Sequence, residues 1–173
     1  MSQTSVESAR PLWDYAVEIY NRPGMSDLCL MFQDECGLDI CVILFISWCS
    51  KQGILIEENL LTQVDQSVSV WNRDVVTPLR GIRRELNLDS KGITQKTVPD
   101  FREHLKALEL EAEHLELNAL ADLVAYKSIS SVSVVDEKQL IETGFLQYME
   151  KIGFELDVRT RQKIAEFVEC AME

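Results

Sequence analysis

Apolar residues recur along this chain every three to four positions and rarely every two, so the pattern predicts rods and not strands. Leu12, Tyr15, Ala16 and Ile19 share one face of a first helix over about 11–21. Pro11 suits its opening position, and Pro23 with Gly24 ends it. Leu28, Met31 and Phe32 mark a second helix, with Ser26 placed to cap it and Gly37 to supply a left-handed stop. Asp39 caps a third, whose segment ICVILFISWC runs from Ile40 to Cys49 before Gly53 terminates it. A helix apolar nearly all round must be enclosed by others, which makes this one the expected hub.

Beyond Glu57, the positions Leu60, Leu61, Val64, Val68 and Trp71 predict a fourth helix. Val75, Leu79, Ile82 and Leu86 then mark a further apolar face. Pro78 interrupts that stretch and predicts a bend or break between Asn72 and Thr77, because proline removes a helical hydrogen bond. The polar run 87–97 reads as a loop. Residues 99–126 form the longest candidate, with Leu105, Leu108, Ala112, Leu115 and Ala119 on one stripe and Leu110, Leu117, Leu120 and Val124 on another. Two stripes call for two packing partners, either the hub and the C-terminal segment or a second copy of the chain. After the serine-rich KSISSVSVV, Asp136 caps a helix that Gly153 stops, and Asp157 begins the last, with Ile164, Phe167, Val168 and Ala171 inward.

These elements define an all-α fold: an irregular helical bundle of about six to seven helices around the central apolar helix at about 39–52. The expected organisation is a disordered tail at 1–10, a helical core domain at 11–127, a linker at 128–135 and a C-terminal helical pair at 136–173 packed on the core. At 46% apolar and 27% charged, the chain can bury a core of that kind. The apolar run Ile40 to Cys49 is about half of what a membrane crossing needs, so no membrane partner is expected. Residues 1–10 carry neither an apolar run nor clustered bases, unlike a signal or transit peptide. Five cysteines, an odd number without C-x-x-C spacing, read as reduced packing residues in a cytoplasmic protein.

A net charge of −12 makes nucleic acid an unlikely ligand, yet the charge is uneven. Residues 1–50 hold two bases and seven acids, 51–99 hold seven and six, and 100–173 hold eight and sixteen. Arg73, Arg80, Arg83 and Arg84 account for much of this local reversal. On a helix Arg80 lies beside Arg83 and Arg84, and Arg73 lies two turns earlier on a similar bearing, away from the apolar face. Either these arginines pair internally, with Asp14, Asp34 or Asp39 as candidate partners, or they dock an acidic group.

Catalytic chemistry finds little support. Glu111 and His114 form one E-x-x-H pair with His104 nearby, but a di-iron bundle needs that motif twice, so no metal or other cofactor is expected. Nucleophile elbows and glycine-rich phosphate loops are absent from the sequence. Trp13, Trp48 and Trp71 read first as core anchors.

The stretch LWDYAVEIYNRPG, followed by CLMFQDECGLDICVILFISW and VSVWNRDVVTPLRGIRREL, resembles a bacterial family of conserved hypothetical proteins, a domain of unknown function found mainly in proteobacteria. The likeness covers about 12–88. It matches Trp13, Pro23, Gly24, Cys29, Gln33, Asp34, Gly37, Asp39, Trp48, Trp71, Pro78, Leu79, Arg80 and Arg83, while Cys41 stands where many relatives have asparagine. The resemblance implies a cytoplasmic bacterial protein and supplies no activity. The leading expectation is a helical interaction module, an adaptor or regulator, whose Arg73–Arg84 segment meets an acidic protein partner or its own dimer mate. The alternative is a small-molecule-binding protein or enzyme with a pocket lined by Trp13, Gln33, Asp34, Trp48 and Arg80. The candidate cluster for either role is Trp13, Gln33, Asp34, Asp39, Trp48, Arg73, Arg80 and Arg83.

Overall fold

A computed structural model describes residues 11–88, 98–125 and 136–173. The expected tail at 1–10, the linker at 128–135 and the loop residues 89–97 lie outside the described residues. The fold is all-α. Among the described residues the helices are α1 (Leu12–Tyr20), α2 (Met25–Cys36), α3 (Ile40–Lys51), α4 (Glu58–Trp71), a π-helical turn (Asn72–Val76), α5 (Thr77–Leu88), α6 (Val98–Asp122), α7 (Glu137–Lys151) and α8 (Val158–Met172). They group into two compact units, one of α1 to α3 with α7 and α8, the other of α4 to α6.

In the first unit the helix ends follow local chemistry. Asp39 accepts a bond from the Cys41 amide at 2.9 Å, Asp136 from Lys138 at 3.1 Å and Asp157 from Thr160 at 2.6 Å, so all three expected caps form. Gly37 is left-handed, with φ of 68°, and the Leu38 amide after it reaches back to the Phe32 carbonyl at 3.1 Å. Ser26 does not cap α2. The left-handed Gly24 already turns the chain into a helix that begins at Met25, which leaves Ser26 inside the first turn.

Every residue of α3 from Cys41 to Ser50 is buried, and α1, α2 and α7 pack around it, so it is the hub of its unit. Its two polar side chains on that buried stretch are satisfied: Ser47 shares a 2.6 Å hydrogen bond with Tyr15, and Ser50 donates to the Ile46 carbonyl at 2.9 Å. Phe32 of α2, Phe145 of α7 and Phe167 of α8 close the other side. Their ring centroids are 4.8, 5.4 and 6.2 Å apart in tilted and edge-on arrangements. Cys29, Cys36, Cys41 and Cys49 are buried thiols, and burial, reinforced by neighbouring Cys170, pushes Cys29 up to about 12.

In the second unit Pro78 acts where expected but does not break the helix. Proline cannot donate to the carbonyl four residues back, and its ring crowds that carbonyl. The turn before it therefore widens into a π-helix, in which the Thr77 amide reaches five residues back to Asn72. A π turn inserts one residue into the helical count and rotates everything after it by roughly 100°. The predicted face Val75, Leu79, Ile82, Leu86 is consequently not buried. Ile82 is 50% exposed; Val76 at the end of the π turn is buried instead, and α5 turns Arg80 and Arg83 toward α6.

Candidate functional site

The face of α6 that packs against α4, the π turn and α5 holds Leu105, Glu109, Ala112, Glu116 and Leu120, all buried. Two carboxylates thus stand where the sequence placed an apolar stripe, and each meets a partner. Arg80 donates from Nε to Glu109 at 3.0 Å and from Nη2 to Glu113 at 2.7 Å. Arg83 grips both oxygens of Glu109, through Nε to Oε2 and through Nη2 to Oε1 at 3.1 Å. The Arg80 and Glu109 side chains are 14% and 7% exposed, so this is a nearly dry seam. Burial alone pushes Glu109 upward, but the Arg83 and Arg80 guanidinium groups outweigh it and hold the carboxyl below the usual range. Burial likewise works against charge on Arg80, and Glu113 with Glu109 keeps it firmly protonated.

The end of α4 and the π turn that follows supply a second set of anchors. Trp71 donates from Nε1 to the Ala112 carbonyl at 3.0 Å. Asn72 donates from Nδ2 to the Glu116 carboxylate at 3.3 and 3.4 Å and accepts from Thr77 Oγ1 at 3.2 Å. The widened turn is what aims the Asn72 amide along α6.

The sequence-level candidates divide between the units. In the first, Gln33 donates to Asp34 at 3.0 Å on an exposed surface, Asp39 serves as the α3 cap, Trp48 is buried against Phe45 and Trp13 is half-buried. In the second, Arg80 and Arg83 come together on Glu109, whereas Arg73 is exposed and bonded to Asp74 at 2.7 Å. The π turn explains that separation, since it removes Arg73 from the bearing that seven-residue spacing implies. The partners of Arg80 and Arg83 are Glu109 and Glu113, outside the aspartates expected for them. Sequence reasoning missed Glu109, Glu113, Glu116 and Asn72. The available signal was three acids at helical spacing, 109, 113 and 116, within an otherwise apolar face.

Two surface features remain. A cavity of about 380 Å³ lies between α2 and α8, lined by Leu28, Met31, Asp27, Lys163, Glu166 and Cys170 among others, none of which belongs to the candidate cluster. On α6 the expected stripe splits: Leu105 and Ala112 are buried, but Leu108 and Leu115 stand 50% and 53% exposed, and Phe101, outside the expected stripe, joins them at 55%. These three recur at seven-residue spacing, so they form one line along about 21 Å of helix. His104 and Glu111 flank that line, both exposed.

Residues 11–120, more than half the chain, match the model of a family described as protein of unknown function (DUF2390). The chain belongs to this family. The DUF2390 match runs past the likeness read at 12–88 and takes in nearly all of α6, including the Arg80–Glu109 seam and the line Phe101, Leu108, Leu115. Helices α7 and α8 lie beyond it. No curated protein and no solved structure matches the chain. Among the described residues of this DUF2390 protein, no helix is long and apolar enough to cross a membrane.

Proposed function

We propose that this DUF2390 protein is a cytoplasmic helical protein-interaction module, an adaptor or regulator that works through a surface of α6. One observation carries the reading: three large apolar side chains, Phe101, Leu108 and Leu115, are held half-exposed in a line that borders the buried face of α6, where ion pairs to Glu109 clamp the helix about a quarter-turn away. Solvated apolar side chains aligned on a rigid rod favour helix-in-groove or helix-on-helix association, since covering them gains the hydrophobic term with little ordering cost. The arginine segment enters this reading as a brace and not as the docking surface, because Arg80 and Arg83 already spend their donors on Glu109 and Glu113. Four buried free cysteines fit a reducing compartment and support the cytoplasmic assignment.

A photo-crosslinking residue placed at Leu108 in the native host tests the reading. Covalent adducts are expected from position 108 and not from Val70, an equally exposed apolar position on α4. Equal labelling at both positions, or none at 108, removes the proposal.

A further inference from the structure

We infer that the partner for this line on α6 is a second copy of the same chain, bound antiparallel with Leu108 on the two-fold axis. The inference rests on the interaction reading above and specifies its occupant. A symmetric dimer requires a patch complementary to itself after a half-turn. The line meets that condition by its spacing: Phe101 and Leu115 each lie seven residues from Leu108, so reversing the helix sets Phe101 of one copy on Leu115 of the other.

Charge decides the direction. His104 and Glu111 lie on the same flank of the line and are both exposed. In an antiparallel pair each His104 faces the other copy's Glu111, giving two identical donor–acceptor contacts of the type that sets orientation in coiled coils. A parallel pair turns this flank of the two copies to opposite sides of the seam, so His104 and Glu111 find no partner across it. For a chain of net charge −12, only the antiparallel arrangement gives the Glu111 carboxylate a hydrogen-bond donor from the other copy.

Area sets the strength. Three half-exposed side chains and their flanks fall well short of the ~1,200 Å² that stable complexes bury, so the dimer is weak, with a Kd of roughly micromolar to millimolar order. Such a dimer forms and dissolves with concentration. That behaviour suits a regulator, whose surface another helix can then compete for.

Sedimentation equilibrium of the full chain, from about ten micromolar to about one millimolar, tests this across the expected Kd range. The average mass should climb from the monomer value of 19.8 kDa with concentration. Leu108→Glu, at a half-exposed position, should keep its helical circular dichroism and weaken association by about tenfold or more. His104→Glu should weaken it by about fivefold, and adding Glu111→Lys to the same chain should restore it, because the new carboxylate of each copy then meets the new ammonium group of the other. In a parallel pair the second change cannot rescue the first. A wild-type chain that stays at 19.8 kDa throughout, association untouched by Leu108→Glu, or a double variant that fails to recover each overturns the inference. If photo-adducts at 108 form with a different protein while the chain itself remains monomeric, the self-pairing is wrong and the interaction reading survives.

Discussion

The two helical units close their interiors by opposite means. Where α2, α7 and α8 meet, Phe32, Phe145 and Phe167 fill the space with carbon, and each ring is fully buried. Where α5 meets α6, the inward groups are Arg80, Arg83 and Glu109, with a second acid, Glu116, bonded by Asn72. An aromatic cluster tolerates small rotations of its rings because dispersion is non-directional. A buried ion cluster does not, since its charges repay desolvation only in the right geometry. The α2–α7–α8 junction is therefore held by volume, whereas the α5–α6 seam adds alignment of charges to the apolar core of its unit and so fixes how α5 sits on α6.

The largest effects should separate these two modes. Phe145→Ala empties the centre of the aromatic cluster and should cost about 3–5 kcal/mol, read as a fall in urea midpoint with loss of cooperative unfolding. Glu109→Gln keeps the volume but takes the carboxylate from Arg83 and leaves Arg80 with Glu113 alone, and should cost about 2–3 kcal/mol, at or below the low end for breaking a buried pair, because Arg80 keeps one acid and both arginines retain some solvent. Replacing Arg80, Arg83 and Glu109 together by Met, Met and Leu should return most of that loss, whereas no apolar substitution near Phe145 can do so. If the triple variant is as unstable as Glu109→Gln, the seam is not held by compensation between charges.

Acid should sharpen the contrast. The arginines hold Glu109 below its unfolded pKa of ~4.3, so its contribution to stability is complete above that value and is lost as pH falls through the lower folded value. The stability gap between the wild type and Glu109→Gln should be full at pH 7 and shrink on acidification below ~4. The gap between the wild type and Phe145→Ala should not track this titration, because no charge is removed. Chemical denaturation at both pH values measures each gap.

The same contrast explains what was legible beforehand. Caps and stops depend on residues within a few positions, so Asp39, Asp136, Asp157, Gly37 and Gly153 could be placed directly. The hub was legible because α3 is apolar on every side and needs no assignment of face. The second unit resisted for two physical reasons. Arg80 and Glu109 are 29 positions apart, so nothing local says that their charges cancel and that a charged face turns inward. The π turn adds a residue to the helical count, and every bearing read across it, from Arg73 to Arg80 or from Val75 to Ile82, is displaced. Acids inside a helical apolar stripe, opposite a cluster of arginines elsewhere, were the one signal that could have exposed the seam.

The smallest expected effects compare the units through one substitution made in each. Gly144 lies in α7 and Gly81 in α5, both within helices, where glycine to alanine ordinarily stabilises by about 0.5–1 kcal/mol through unfolded-state entropy. A Cβ at Gly144 would stand 2.7 Å from Ile46 Cγ2 and 3.3 Å from Ile56 Cγ1. Ile46 is fully buried in the hub and has nowhere to retreat, so overpacking of about 1–3 kcal/mol exceeds the entropic gain. Gly144→Ala should therefore lower stability by roughly 1 kcal/mol. A Cβ at Gly81 meets nothing within 4 Å, so Gly81→Ala should raise stability by about 0.5–1 kcal/mol. Opposite signs from the same chemical change, read by thermal melts of the two variants, would show that α7 is seated by close approach to α3, whereas α5 is seated by its arginines and leaves its glycine unconstrained.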